Sequence, residues 1–329
     1  MPIRAFGSFD VFSVGEGAEL TITDCKNSGT ITHYSGMDYT GCGVNVYKGT
    51  FNLYGGSITG NTGFVDGDSA TGGGVYVGGS GKFYMHGGTI SGNNASSNSG
   101  SSGGGVHIGS DSAFTMTGGT ISGNSASNNG GGVHIGIGST FTMTGGSITG
   151  NNAGTGGGVY VSSDVGYGNS ILTLSGAVQI TGNKQGASAS NVYLRSGKTI
   201  SIGSGHLTDG ASIGVTTQNP PANEDIAIAT GANLDDKQYF HSDTDENYLF
   251  YVTSDGTICM TAANAHDHPI CGASCQDGSS HKSETWQPIG SAEELTAIQN
   301  SGYFYLTDNV TLSNRSVWTP PSDTFLCLN

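Results

Sequence analysis

Positive charge is nearly missing from this chain. Its 329 residues hold ten lysines and arginines against 25 aspartates and glutamates, a formal net charge of −15. A phosphate backbone needs a basic surface, so nucleic acid is excluded as a partner, as is adhesion to an anionic membrane surface. Long apolar runs are missing too. Nothing approaches the roughly eighteen apolar residues of a bilayer-spanning helix, so membrane insertion is not expected. The opening "MPIRAFGSFD" lacks the apolar stretch of a signal peptide. Six cysteines are too few for a disulfide scaffold and leave the redox compartment open. Strong helix formers at 3.6-residue spacing are also lacking, which removes the helical repeats.

What fills the space is glycine, 58 residues of it. With serine, threonine and asparagine it could signal a flexible linker, but Val, Ile, Phe and Met recur at fixed places. "GGGVHIGSDSAFTMTGGTISGNSASNNGGGVHIGIGSTFTMTGGSITGN", from Gly103 to Asn151, states one line twice. The valine of its "GV" falls at Val44, Val75, Val106, Val133 and Val159, with a looser copy at Val192, at intervals of 31, 31, 27, 26 and 33 residues. Each unit carries three short apolar runs that alternate with a period of two, as strands do. Glycine pairs and asparagines punctuate them, and glycine turns a chain at positive φ without steric cost. Length differences are confined to the segment after "GN". A four-stranded propeller blade needs a longer period. The pattern predicts an all-β, single-stranded parallel β-helix with three strands per coil. Asn61, Asn93, Asn124, Asn151 and Asn183 share one corner and are expected to stack as a structural amide ladder.

The division that follows is 1–200 for the β-helix repeats and 201–262 for irregular coils that close the solenoid. Residues 263–288 form a Cys/His-rich linker, and 289–329 open a second β-helix-like unit with a short helix and a strand. Both ends read as cut from a longer protein.

"GGGVYV", "FTMTGGTISGN" and "DGASIGV…YLFYVTSDGTI" resemble right-handed parallel β-helix repeat proteins of bacterial cell surfaces. The Gly-Gly-x and x-x-Asn corners are similar to the polymorphic outer membrane protein repeats, and "HDHPICGASC" leading into "GYFYLTDNVTL" looks like the inter-module segment of large anaerobe surface proteins. The resemblance implies a right hand, as parallel crossovers generally prefer. It also implies an extracellular or cell-surface location and an adhesive or structural role.

Several residue sets could carry chemistry. Asn45, Tyr76, His107, His134, Tyr160 and Tyr193 hold equivalent outward positions, one per coil, and Tyr84 and His86 lie on the next face. An exposed aromatic and imidazole strip can stack on sugar rings or a partner's apolar patch. The alternative is that β-propensity and mutual stacking account for them. A His107–His134 metal pair lacks a third ligand. Thr115, Thr117, Thr142, Thr144, Thr173 and Ser175 form a small threonine array like an ice-binding face, interrupted by Asn52, Tyr54, Tyr84 and His86. His266, His268, Cys271, Cys275 and His281 could build a tetrahedral zinc site. Their C-x3-C spacing is not that of a knuckle, so a Cys271–Cys275 disulfide, or no bond, fits as well. Asp243, Asp245 and Asn247 open like a calcium loop but lack its glycine and closing glutamate, so a solvated turn is expected and calcium is not. Cys25 and Cys42 sit at different corners and are expected to be unpaired; Cys259 and Cys327 are expected to be buried in strands.

A glycoside hydrolase needs two carboxylates roughly 5–9.5 Å apart. Between Gly72 and Ser163 the only charged residues are Lys82 and Asp111. The expected function is a non-catalytic surface or secreted module, monomeric and without a required cofactor, acting as an adhesin or rod that binds a glycan or host surface protein. The alternatives are a polysaccharide lyase or hydrolase, with the acidic cluster Asp235, Asp236, Asp243, Asp245 and Glu246 as its place, or a bare stalk spacer.

Overall fold

The structure is a computed structural model that describes residues 2–5, 7–24, 26, 28–33, 40–66, 69–96, 100–162, 169–221, 225–244, 248–262, 286–307, 310–312, 318–322 and 324–327. The repeated line winds into a parallel β-solenoid. One coil lays down strands Val106–Ile108, Ala113–Met116 and Thr120–Ser122, and the next lays down Val133–Ile135, Thr140–Met143 and Ser147–Thr149. Pairing is parallel and in register: Val106 faces Val133, Phe114 faces Phe141 and Ile121 faces Ile148. Middle-run strands form a 10-stranded sheet. First-run and third-run strands form two columns that merge at Ser212–Thr217, whose first half pairs with Gln179–Thr181 and whose second half pairs with Val192–Leu194.

In-register stacking places like side chains one strand spacing apart, and the core follows from it. Phe51, Phe83, Phe114 and Phe141 stack with centroids 5.0, 4.6 and 4.6 Å apart and are essentially inaccessible. The spacing between parallel strands is close to the distance at which offset rings attract. Val75, Val106, Val133 and Val159 make a second buried column, and Ile58, Ile90, Ile121 and Ile148 a third.

Glycine does two specific jobs at the corners. Gly60, Gly92, Gly123, Gly150 and Gly182 each precede a ladder asparagine with φ between +62° and +68°, the left-handed turn that aims the next side chain inward. Gly104 lies where one coil's backbone meets the next: a Cβ there would stand 2.2 Å from Ser125 O and 2.6 Å from Gly131 O.

The variable corner differs from expectation. Ser125–Asn129, Asn152–Thr155 and their equivalents are short strands of a separate 8-stranded sheet, with Ala95, Ala126 and Ala153 as its own apolar contact. Ser, Asn and Gly have low strand propensity, so composition reads these segments as loops. The coils on either side already hold their backbones side by side, and that context overrides propensity.

Beyond Leu207 the coils become irregular. Ile226–Thr230 and Tyr248–Val252 both pair antiparallel with Ile258–Ala262. A second unit follows, with Trp286–Ile289, Gly302–Leu306 and Thr324–Cys327 in a 3-stranded parallel sheet. Its helix, Ala292–Ala297, is capped by the Ser291 side chain, which accepts from Glu294 N. The Glu294 carboxylate is buried and accepts from Val252 N at 2.9 Å, Gly290 N at 2.8 Å and Lys237 Nζ at 2.5 Å, which joins this unit to the solenoid. No helix among the described residues is long and apolar enough to cross a membrane.

Cys42 is buried and its thiol donates to Thr71 O at 3.7 Å. Cys259 is a buried free thiol, pushed up to about 11 by that burial. Cys25 and the Cys327 side chain lie outside the described residues.

Candidate functional site

Two polar columns run the length of the coils. At the "GN" corner strand pairing stops, so each backbone N–H there needs another partner. The asparagine of the next coil supplies it: Asn93 N donates to Asn124 Oδ1 at 3.0 Å, and Asn124 N to Asn151 Oδ1 at 2.9 Å. The side-chain amides donate the same way, Asn61 to Asn93, Asn93 to Asn124, Asn124 to Asn151 and Asn151 to Asn183, at 2.9–3.0 Å. All five asparagines are buried. The expected amide ladder is therefore present.

Its two ends were not evident from the sequence. Asn183 passes the chain to Asn191 at 2.9 Å, and Asn191 gives its backbone and side-chain N–H groups to Asp243 at 2.6 and 2.5 Å. Thr216 Oγ1 donates to the same carboxylate at 2.9 Å. At the other end both ring nitrogens of buried His33 contact acceptors, Asn61 Oδ1 at 2.8 Å and Phe9 O at 2.7 Å. The available signal was alignment: "TITHY" places a histidine where later coils read "SITGN".

The aromatic column is also in register, from Asn45 through Tyr76, His107, His134 and Tyr160 to Tyr193. Its rings stack face to face with centroids 5.5, 4.7, 5.4 and 5.7 Å apart, nearly parallel. Sandwiched rings have no face left for a sugar, and only the end rings, Tyr76 and Tyr193, have a face that no other ring of the column covers. The expectation of an exposed strip is corrected at its centre, where His134 is 9% and Tyr160 8% exposed. The Tyr76 side chain folds down along its own strand: a methyl on Gly78 would meet its hydroxyl and ring at 2.7–2.9 Å. Burial lowers His107 to about 4 and takes His134 well below the usual imidazole range, where the neighbouring His107 adds to the effect. Ser102 Oγ lies 3.2 Å from His107 Nδ1 and Ser162 Oγ 3.3 Å from His134 Nε2, while His134 Nδ1 is buried with no hydrogen-bond partner. A serine–histidine pair needs a third group to orient the imidazole. Among the described residues from Gly72 to Ser162 the one carboxylate is Asp111, at an exposed turn.

On the next face His86 stacks on Tyr54 at 4.4 Å and lies 6.5 Å from Tyr84, with its Nδ1 3.1 Å from Thr117 Oγ1. Tyr54, 53% exposed, thus belongs with His86 as an aromatic pair, not only as an interruption of the threonine array.

Two members of the acidic cluster, Asp236 and Asp243, are used on structure, while Asp235 is exposed. Asp236 is fully buried and accepts from Leu207 N at 2.7 Å, Asn233 N at 2.8 Å and His206 Nδ1 at 2.8 Å. Asp243 ends the amide ladder and is part-buried, not part of a solvated turn. Asp245, Glu246 and Asn247 lie outside the described residues, as do His266, His268, Cys271, Cys275 and His281. Among the described residues no three His, Cys, Asp or Glu side chains gather as metal ligands.

A concavity lies beside the last regular coils. Arg195, Lys198, Gln218, Asn219 and Asp225 are among the residues that line a groove of about 450 Å³. It opens where the chain leaves the regular coil after Thr217, a departure that no local motif announces.

Comparison of the chain with models of known families, with curated proteins and with solved structures gave no match.

Proposed function

We propose that this chain is a non-catalytic module of a bacterial cell-surface or secreted protein. The solenoid acts as a stiff rod that holds binding surfaces and neighbouring modules at a fixed spacing, and it recognises a glycan or a host surface protein. One observation carries the reading: the polar and aromatic groups of the regular coils are used on each other. The amides bond amide to amide and the rings cover ring faces, while the segment from Gly72 to Ser163 offers only Lys82 and Asp111 as charged groups. Such columns brace a rod, and they leave no acid and base to cleave a glycosidic bond.

A glycan array run beside a polysaccharide-cleavage screen tests it. Binding without cleavage is the expected outcome. Release of reducing ends or of unsaturated products would replace the binding module with an enzyme, and silence in both assays, with host proteins included, would reduce it to a spacer.

A further inference from the structure

We infer that His33 is an imidazolium latch: charged, it fastens the turn at Phe9 to the end of the amide ladder, and it lets go as pH rises. The inference stands apart from the binding-module reading and goes beyond it.

Hydrogen-bond chemistry carries it. His33 is buried, with Nδ1 2.8 Å from Asn61 Oδ1 and Nε2 2.7 Å from Phe9 O. The Phe9 carbonyl can only accept. The Asn61 amide is oriented by its other contacts, because Nδ2 donates to Asn93 Oδ1 at 2.9 Å, Thr59 O at 3.2 Å and Ile31 O at 3.3 Å. Its oxygen therefore faces His33. A neutral imidazole has one N–H and one lone pair, so one of the two contacts would set a lone pair against a carbonyl oxygen. Only the imidazolium donates to both, and separations of 2.7 and 2.8 Å suit charge-assisted bonds.

The ladder accounts for a charge at this place. Its amides all run one way, each nitrogen donating to the next oxygen from Asn61 through Asn183 to Asn191. Aligned dipoles put a negative end at Asn61 Oδ1 and a positive end at Asn191, by the same logic as in a helix. The cation sits at the negative end, and the Asp243 carboxylate takes the N–H groups at the positive end. His107 and His134 instead meet serine hydroxyls, which can donate as well as accept, and burial there favours the neutral ring.

Among the described residues no carboxylate bonds to the His33 ring. Asp10, beside Phe9, accepts from Cys42 N at 2.9 Å, Asn45 Nδ2 at 2.8 Å and Ser13 Oγ at 3.3 Å. On the flanking strands, Arg4 pairs with Thr32 in Pro2–Ala5, and Ser57–Thr59 has no titratable residue. The Cys42 thiol donates to Thr71 O. Tyr34, Asp38 and Tyr39 lie outside the described residues. Loss of the His33 proton removes one donor and sets a ring lone pair against an oxygen. The turn then keeps its backbone bonds, Val11 N to Cys42 O at 3.0 Å and Phe12 N to Gly43 O at 3.1 Å, and the contacts of Asp10. The latch is whole in acid and weak in base.

Amide hydrogen exchange on the whole chain tests it, read at Val11 and Phe12 and corrected for the intrinsic effect of pH. Between about pH 5.5 and about pH 8, the span in which an imidazole changes charge, exchange there is expected to speed about tenfold. Val106, bonded to Gly132 O in mid-solenoid, is expected to keep its protection. In His33→Asn, whose amide has no titratable proton, the dependence is expected to vanish, and in Asp38→Asn to remain. Nitrogen NMR of labelled histidine reads the wild-type ring directly, with both nitrogens of His33 expected to carry protons at about pH 5.5. A neutral ring at that pH, or equal corrected protection at both pH values, would overturn the latch. So would a dependence that survives His33→Asn, or one that Asp38→Asn abolishes.

Discussion

Replacing Asn124 with alanine removes the central rung of the amide ladder, and its cost can be worked from the contacts. The Asn124 amide donates to Ile90 O and to Asn151 Oδ1, both at 2.9 Å, and its oxygen accepts from Asn93 N and Asn93 Nδ2, both at 3.0 Å. Alanine keeps the backbone bond from residue 124 to Asn151 Oδ1. It leaves Ile90 O, the Asn93 backbone N–H and one Asn93 side-chain N–H without these partners in a buried corner. Each such group costs roughly 1–3 kcal/mol, less whatever a water admitted to the space recovers. The expected loss is about 4 kcal/mol, a large share of a typical domain's stability. Asn124→Asp keeps the shape but turns both donors into acceptors facing Ile90 O and Asn151 Oδ1, and should be worse. Asn128→Ala, at an exposed position four residues on in the Ser125–Asn129 strand, should change stability by no more than about 0.5 kcal/mol. Urea unfolding followed by circular dichroism reads all three. Because stacked coils can unfold in parts, hydrogen exchange at Asn93 and Asn151 should accompany it. A loss below about 1 kcal/mol for Asn124→Ala would refute the view that the ladder, and not only apolar burial, holds the corner.

Three further outcomes follow from the same geometry. His107 is lowered to about 4 in the fold against 6.5 when unperturbed, so between those values the unfolded chain binds a proton that the native chain refuses. Stability therefore falls as pH drops through that window, by about 3 kcal/mol from this residue alone. His107→Tyr, which puts a hydroxyphenyl ring like that of Tyr76 and Tyr160 in the column, should lose correspondingly less on going from pH 7 to 4.5, and an unchanged acid loss would count against the burial argument. Phe114→Ala opens the stack between Phe83 and Phe141 and should cost about 3–5 kcal/mol in a urea melt, while Phe114→Leu, a side chain the same column accepts at Leu172, should cost far less. Gly104→Ala must push its Cβ against Ser125 O and Gly131 O, so it should yield insoluble or partly unfolded protein on expression, whereas Gly123→Ala, which meets nothing within 4 Å and bears only its positive φ, should still fold.

Much of this architecture was legible in the repeat itself. Alternation within "VHI" and "FTM" gives the buried faces, and the spacing of Val106 and Val133 gives the register. An asparagine after every corner glycine gives the ladder. What lay beyond the sequence is non-local. Nothing in "SASNN" announces a strand, since its pairing depends on coils already stacked beside it. That His134 and Tyr160 would be covered depends on rings of adjacent coils stacking on both their faces, which a period-two pattern does not report. The roles of His33, Asn191 and Asp243 appear only once the ends of the column are located. Arg195, Lys198 and Gln218 line one groove beside Ser212–Thr217, a strand that runs straight from one column into the other.

A crystal structure of the chain at a resolution that separates side-chain amides tests the central claim most directly. The account predicts Asn93, Asn124 and Asn151 in one hydrogen-bonded file and His107 lying flat between Tyr76 and His134. Strands out of register at Val106 and Val133, or rings splayed into solvent with their faces open, would contradict it.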